Sequence, residues 1–162
     1  MNKVYLLIGG NMGDRMANLS LAMEAIEKEI GPIQQMSSIY ETAAWGNTQQ
    51  PDFLNQALLV HTHWDALKVM TCLLTIEKQM GRERSVPMGP RTIELDIIYF
   101  NEEILDLPAL TIPHPRLAER KFVLLPLTEI APAYIHPVFN KSNACLLKEC
   151  GDSLAVQKKS NN

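Results

Sequence analysis

The sequence predicts an α+β fold built on one antiparallel sheet, and three observations carry that prediction. Four apolar runs have the alternation of strands, two stretches repeat apolar residues at helical spacing, and they follow one another in the order β-α-β-β-α-β. That order is the split βαβ arrangement of ferredoxin-like folds. Both helices then cover one face of the sheet, and the other face is expected to stay free for a ligand.

"KVYLLIG" reads as the first strand, ended by Gly9 and Gly10. "NMGDRMANLSLAMEAIEKEIG" follows as a helix whose apolar Leu19, Ala22, Met23, Ile26 and Ile30 share one side, closed by Gly31. "IQQMSSIYETA" is the second strand and "FLNQALLVHTH" the third, with the turn-forming loop "AWGNTQQPD" between them. "DALKVMTCLLTIEKQMG" is the second helix, capped by Asp65 and stopped by Gly81, with Leu67, Met70, Leu73, Leu74 and Ile76 or Glu77 at helical spacing. "TIELDIIYF" is the fourth strand. Beyond it come a hairpin in "EEILDLPALTIPHP", a helical turn in "RLAERKF", an apolar helix in "VLLPLTEIAP", a last helix around "NACLLKEC", and a tail expected to fray over residues 155–162.

A chain of 162 residues that is 46% hydrophobic is long enough for one domain, residues 1–162, with a proper core. A net charge of −3 provides no basic field for nucleic acid or an anionic membrane, so a polyanionic ligand must be held by local arginines or a metal. Cys72, Cys145 and Cys150 are odd in number and lack CxxC spacing, and the apolar run at the N-terminus is too short for a signal peptide or a membrane span. A cytoplasmic protein with reduced thiols is expected, Cys72 serving in packing.

The chemistry concentrates in "MGPRTIELDIIYF". Residues i and i+2 of a strand project from the same face about 7 Å apart, so Glu94 and Asp96 stand side by side while Ile93, Leu95 and Ile97 take the core side. Two crowded carboxylates raise each other's pKa unless a cation lies between them, which suggests a magnesium site; a solvent-facing stripe of an antiparallel strand explains the same alternation, and the segment alone does not separate the two. Just upstream, "GRERSVPMGPR" holds Arg82, Arg84 and Arg91 in a Gly/Pro-punctuated loop, and arginine forks match phosphate oxygens. His114, between two prolines in "TIPHPR", is aimed in a fixed direction and can donate to a phosphate. Trp45, Phe53 and Asn55 combine stacking faces with an amide edge, which suits a flat heterocycle. His61 and His63 share a strand face but have no third ligand, and "IGGNMGD" lacks the spacing of a nucleotide loop; the one reads as an exposed strand end and the other as close glycine packing.

Taken together, "LLIGGNMGD", "SSIYET", "QPDFLNQAL", "IEKQMGRER", "GPRTIELDIIYF" and "TIPHPRLAERKFVLLPLTEIAP" resemble the 6-hydroxymethyl-7,8-dihydropterin pyrophosphokinases over nearly the whole chain. The resemblance implies a magnesium-dependent diphosphotransferase of folate biosynthesis, in which the pterin hydroxymethyl oxygen attacks the β-phosphorus of ATP and AMP leaves. It implies two Mg2+ ions on Glu94 and Asp96. A pterin site is implied at Thr42, Ala43, Trp45, Phe53, Asn55 and Phe122, with Phe53 and Phe122 on either side of the ring. ATP contacts are implied at Glu77, Arg82, Arg84, Arg91, His114 and Arg120, with Arg82, Arg84 and Arg91 catalytic. A monomer without nucleic-acid or membrane partners is expected. Two features depart from the family pattern: Glu94 stands where aspartate is usual, and the loop before "GPR" is about one residue shorter and lacks a tryptophan and an arginine often found there. A non-catalytic ligand-sensing module and a metal-dependent nucleotide hydrolase are the alternatives; the acid pair and arginines count against the first and the aromatic pocket against the second.

Overall fold

The computed structural model describes residues 1–43, 50–81 and 92–159. Strand β1 (Asn2–Gly10) leads into helix α1 (Arg15–Glu29), which Asp14 caps by accepting a hydrogen bond from the Ala17 amide at 3.1 Å. Strands β2 (Ile33–Met36), β3 (Tyr40–Thr42) and β4 (Phe53–Thr62) follow. Helix α2 (Ala66–Gln79) is capped by Asp65 as expected, and β5 (Glu94–Phe100) completes the core. The remainder is a hairpin of β6 (Leu105–Leu107) and β7 (Leu110–Ile112), a 3-10 turn over Leu117–Glu119, helices α3 (Lys121–Ile130) and α4 (Asn143–Glu149), and β8 (Val156–Lys158).

The sheet runs β5-β1-β4-β3-β8, all neighbours antiparallel, with β2 also on β4. Its central strands are the first and third of the core, so the fold is α+β with the ferredoxin-like order. On one face, Val4, Leu6 and Ile8 of β1, Leu54, Leu58 and Val60 of β4 and Leu95 and Ile97 of β5 pack against Leu19, Ala22 and Ile26 of α1 and Val69, Leu73 and Ile76 of α2. Gly31 after α1 is a close-approach glycine: a Cβ there would lie 1.9 Å from the His61 carbonyl oxygen.

Four sequence expectations change. The second strand is two strands, because Met36 pairs with Leu58 and Tyr40 with Asn55, four steps opposite three. Ser37 fills the bulge, its amide donating to the Ala57 carbonyl and its hydroxyl accepting from the Ala57 amide. The buried stripe of α2 is Ala66, Val69, Leu73, Ile76 and Glu77; Leu67 and Leu74 are exposed, since they lie on the neighbouring stripe of the same 3.6-residue period. The second sheet face is not free throughout, because Val123, Leu124 and Leu127 of α3 and Leu146 of α4 close over Leu7, Ala57, Ile98 and Tyr99. The tail includes β8, which pairs with β3 from Val156↔Thr42 to Tyr40↔Lys158 instead of fraying.

Candidate active site

Register decides where the second face is open. Glu94 on β5 lies across from Gly9, Gly9 from Asn55 on β4, and Asn55 from Tyr40 on β3, forming one row of the sheet. The next row on this face, Asp96, Leu7 and Ala57, is where the apolar cover of α3 begins. Gly9 is required in the first row: a Cβ there would sit 2.2 Å from Asn55 Oδ1 and 2.5 Å from the Leu54 carbonyl. The glycine therefore makes room for the Asn55 amide, which explains why the strand ends in the glycines noted in the sequence.

Above these rows is a cavity of ≈ 330 Å³ that brings together Thr42, Ala43, Phe53, Asn55, Glu94, Asp96, His114, Arg120 and Phe122. These nine were expected from the sequence. Arg116, which closes "TIPHPR" two residues after His114, lines it too, and so do Glu119 and Leu154, which were not foreseen. Phe53 and Phe122 provide two aromatic walls, and Arg120 lies with Cζ 5.7 Å from the Phe122 ring centroid. Thr42 Oγ1 is buried without a hydrogen-bond partner among the described residues, an arrangement that costs stability until a bound group supplies one. Trp45, Arg82, Arg84 and Arg91 lie outside the described residues.

A second cavity of ≈ 320 Å³ lies at the outer edge of β5. Its walls are Met70, Leu73 and Leu74 of α2, Leu95 and Ile97 of β5, the Pro108–Thr111 stretch of the hairpin, and Asp96 and His114, the residues common to both cavities. The α2 stripe that the sequence assigned to the core thus forms a cavity wall, with Leu74 exposed to it. Nothing in a helical period distinguishes an apolar residue that meets the sheet from one that meets a ligand.

His114 is held by its backbone amide, which donates to the Ile98 carbonyl at 3.0 Å, and the Ile112–Pro113 peptide before it is cis. Burial pushes its pKa below the ordinary histidine value, and the Arg120 and Arg116 charges push the same way against the opposing pull of Glu94. The ring is therefore neutral at pH 7. Its Nδ1 accepts from the Arg116 amide at 3.2 Å, which leaves Nε2 carrying the proton as a donor. Glu77 is 2% exposed, and its Oε2 accepts from the Leu95 amide at 2.7 Å, so it fastens α2 to the β5 residue between the two acids.

Glu94 and Asp96 suit a hard divalent cation: two anionic oxygen donors on one strand face, opening on one cavity. Among the described residues no three His, Cys, Asp or Glu side chains form a metal cluster, so a cation here would complete its shell with substrate oxygens and water. His61 and His63 likewise have no third ligand among the described residues, and Cys72 packs against the core as expected.

The ends of β3 and β4 beside the aromatic cavity are tied to the start of α1. Arg15 Nη1 donates to Glu41 Oε2 at 2.6 Å and to the Asp52 carbonyl at 2.8 Å, bridging the residues just before Thr42 and just before Phe53. Asn11 Nδ2 adds bonds to Gln50 Oε1 and the Pro51 carbonyl, each 3.0 Å.

A family model described as 7,8-dihydro-6-hydroxymethylpterin-pyrophosphokinase matches residues 5–132. A 2-amino-4-hydroxy-6-hydroxymethyldihydropteridine pyrophosphokinase of Aquifex aeolicus is 38% identical over 141 residues, covering 87% of this chain and 88% of that protein. The protein of the same description from Bacillus subtilis is 40% identical over 130 residues, 80% of this chain and 78% of that one. Among solved structures, Plasmodium falciparum HPPK-DHPS with pteroate superposes with a TM-score of 0.76 at 18% identity, over 91% of this chain and 42% of that chain, so this chain spans less than half of it and the likeness shows the shared fold. No described helix is long and apolar enough to cross a membrane.

Proposed function

We propose that this chain, which belongs to the 7,8-dihydro-6-hydroxymethylpterin-pyrophosphokinase family, works by seating its two substrates in the two cavities that meet at Asp96 and His114. The reaction is the folate-biosynthesis step in which the pyrophosphoryl group of ATP passes to 6-hydroxymethyl-7,8-dihydropterin, leaving AMP. The shared wall carries the reading. A transfer between two bound molecules needs their reacting ends at one place, and two separate chambers of similar size with two common polar residues supply that.

In the aromatic cavity, the pterin ring lies between Phe53 and Phe122, with the Asn55 amide and Thr42 Oγ1 matching its polar edge. In the second cavity, Met70, Leu74 and Leu110 take the adenine and Thr111 supplies a hydroxyl beside it. The triphosphate then runs past His114 and Asp96. His114 donates through Nε2 to a phosphate oxygen without adding charge, while Arg120 neutralises charge directly. Arg82, Arg84 and Arg91 stabilise charge on the transferring group, as their position in the sequence motif implies. Glu94 and Asp96 would hold two Mg2+ ions, which neutralise the polyphosphate and make the pterin hydroxyl more acidic when bound. Glu77 contributes by holding β5 so that the two acids keep their spacing. We further propose that the chain acts as one domain, monomeric and cytoplasmic.

AMP formation from ATP, followed with and without the pterin alcohol over a magnesium titration, tests this reading. AMP that requires both pterin and magnesium supports it. Pterin-independent release would make the protein a nucleotide hydrolase, and no release would make it a ligand-binding module.

A further inference from the structure

The C-terminal segment, residues 152–159, brings Leu154 to the aromatic cavity and is anchored on either side of it, to α3 and to β3. At one end Asp152 Oδ2 accepts from the Lys121 amide at 3.1 Å, one residue before Phe122, while its Oδ1 accepts from the Leu154 amide at 3.0 Å. At the other end Val156 pairs with Thr42, and the Lys159 amide donates to the Ile39 carbonyl at 2.7 Å. Leu154, half-buried between these anchors, lines the cavity together with Phe122 and Thr42.

We propose that Leu154 contacts the pterin and sets affinity for it, the segment forming an apolar wall of the cavity. A leucine fixed at both flanks loses little freedom when a ring docks on it, so its contact area contributes to binding instead of to ordering. The segment lies beyond residues 5–132, the stretch that the family model matches, so this wall is not part of the pattern that identifies the family. It is therefore a place where pterin preference can vary while the acids and His114 stay as they are.

This rests on the aromatic cavity being the pterin site, and Phe122→Ala separates the two claims. Pterin binding by fluorescence titration, KM for each substrate, and Tm are measured for Phe122→Ala, Leu154→Ala, Leu154→Met and Leu154→Trp. Leu154→Ala is expected to weaken pterin binding roughly three- to tenfold, as loss of apolar contact in a pocket does, with KM for ATP and Tm unchanged. Leu154→Met, similar in volume, should restore wild-type affinity, and Leu154→Trp should exclude the ring. Weaker binding in Phe122→Ala with no change in Leu154→Ala overturns the role of Leu154 and leaves the cavity reading standing; no change in either overturns both. Equal losses for ATP and pterin, or a lowered Tm in Leu154→Ala, would make the segment a structural strap only.

Discussion

The two faces of the sheet use the same strands in opposite ways. On the α1/α2 face, Val4, Leu6, Ile8, Leu54, Leu58 and Val60 alternate into a closed apolar layer. On the other face these two strands and β5 carry Glu94, Gly9 and Asn55 in one row, then Asp96, Leu7 and Ala57, before α3 and α4 close over Ile98 and Tyr99. Because strand side chains alternate, one sheet can be packed below and chemically open above, the two meeting only at the β5 edge, where Leu95 and Ile97 also reach the second cavity. The stability of the closed face is what allows two carboxylates to be held together on the open one.

The largest expected effect separates the faces by kinetics against stability. Asp96→Ala should lower turnover at least about a thousandfold, ~4 kcal/mol of barrier, while Tm stays level or rises because a like charge beside Glu94 is removed. Leu6→Ala, on the closed face, should cost about 2–5 kcal/mol of stability in denaturant unfolding and leave KM values near wild type in the folded fraction. Near-normal AMP production by Asp96→Ala would end the assignment of the open face to the metal.

Next in size is Glu94, the acid in the row that Gly9 and Asn55 share. Glu94→Asp should keep activity within about tenfold, ~1.4 kcal/mol, since an anionic oxygen remains. Glu94→Gln should cost far more and shift the magnesium titration to higher concentration. Identical magnesium curves for wild type and the Gln variant would mean that Glu94 does not touch the metal.

A smaller effect tests how the cover is fastened at the boundary. Glu129 of α3 accepts from Tyr40 Oη at 2.6 Å and from the Ser38 amide at 2.7 Å, with Lys158 Nζ 3.7 Å away. Burial alone would raise its pKa; the hydrogen bonds from Tyr40 and Ser38 and the Lys158 charge outweigh that and hold it below the usual carboxylate value. Its stabilisation is therefore complete above the unfolded value of 4.5 and is lost as the pH falls through the lower folded value. Tyr40→Phe should cost about 1–2 kcal/mol at pH 7, and urea unfolding across pH should show the difference from wild type shrinking once Glu129 is protonated. A difference independent of pH would mean that the Tyr40 hydroxyl stabilises the fold without help from the Glu129 charge.

The smallest effect belongs to Arg15, an outlying tie to the open face. Arg15→Met should raise KM for the pterin roughly two- to threefold and leave KM for ATP unchanged, since a partly exposed ion pair contributes about 0–1 kcal/mol. Arg15→Lys should recover most of the loss. Equal changes in both KM values would mean that the tie supports the fold and not the pocket.

The sequence by itself determined the element order, the cap Asp65, the core side of Ile93, Leu95 and Ile97, and the acid pair with its matched motif, because each depends on spacing within a few residues. Alternation and helical period are local properties and can be read without a partner strand. Tertiary structure alone decided three things. Sheet register put Gly9 beside Asn55 and Glu94, 46 and 85 residues away along the chain, an alignment no local pattern encodes. Long-range packing turned the Met70 and Leu74 stripe into the wall of a cavity, and sent α3 and α4 over half of a face that the core pattern leaves bare. It also paired the last strand with β3 and so brought Leu154 to the aromatic cavity, because a three-residue strand is too short to announce itself until an open sheet edge supplies its hydrogen bonds.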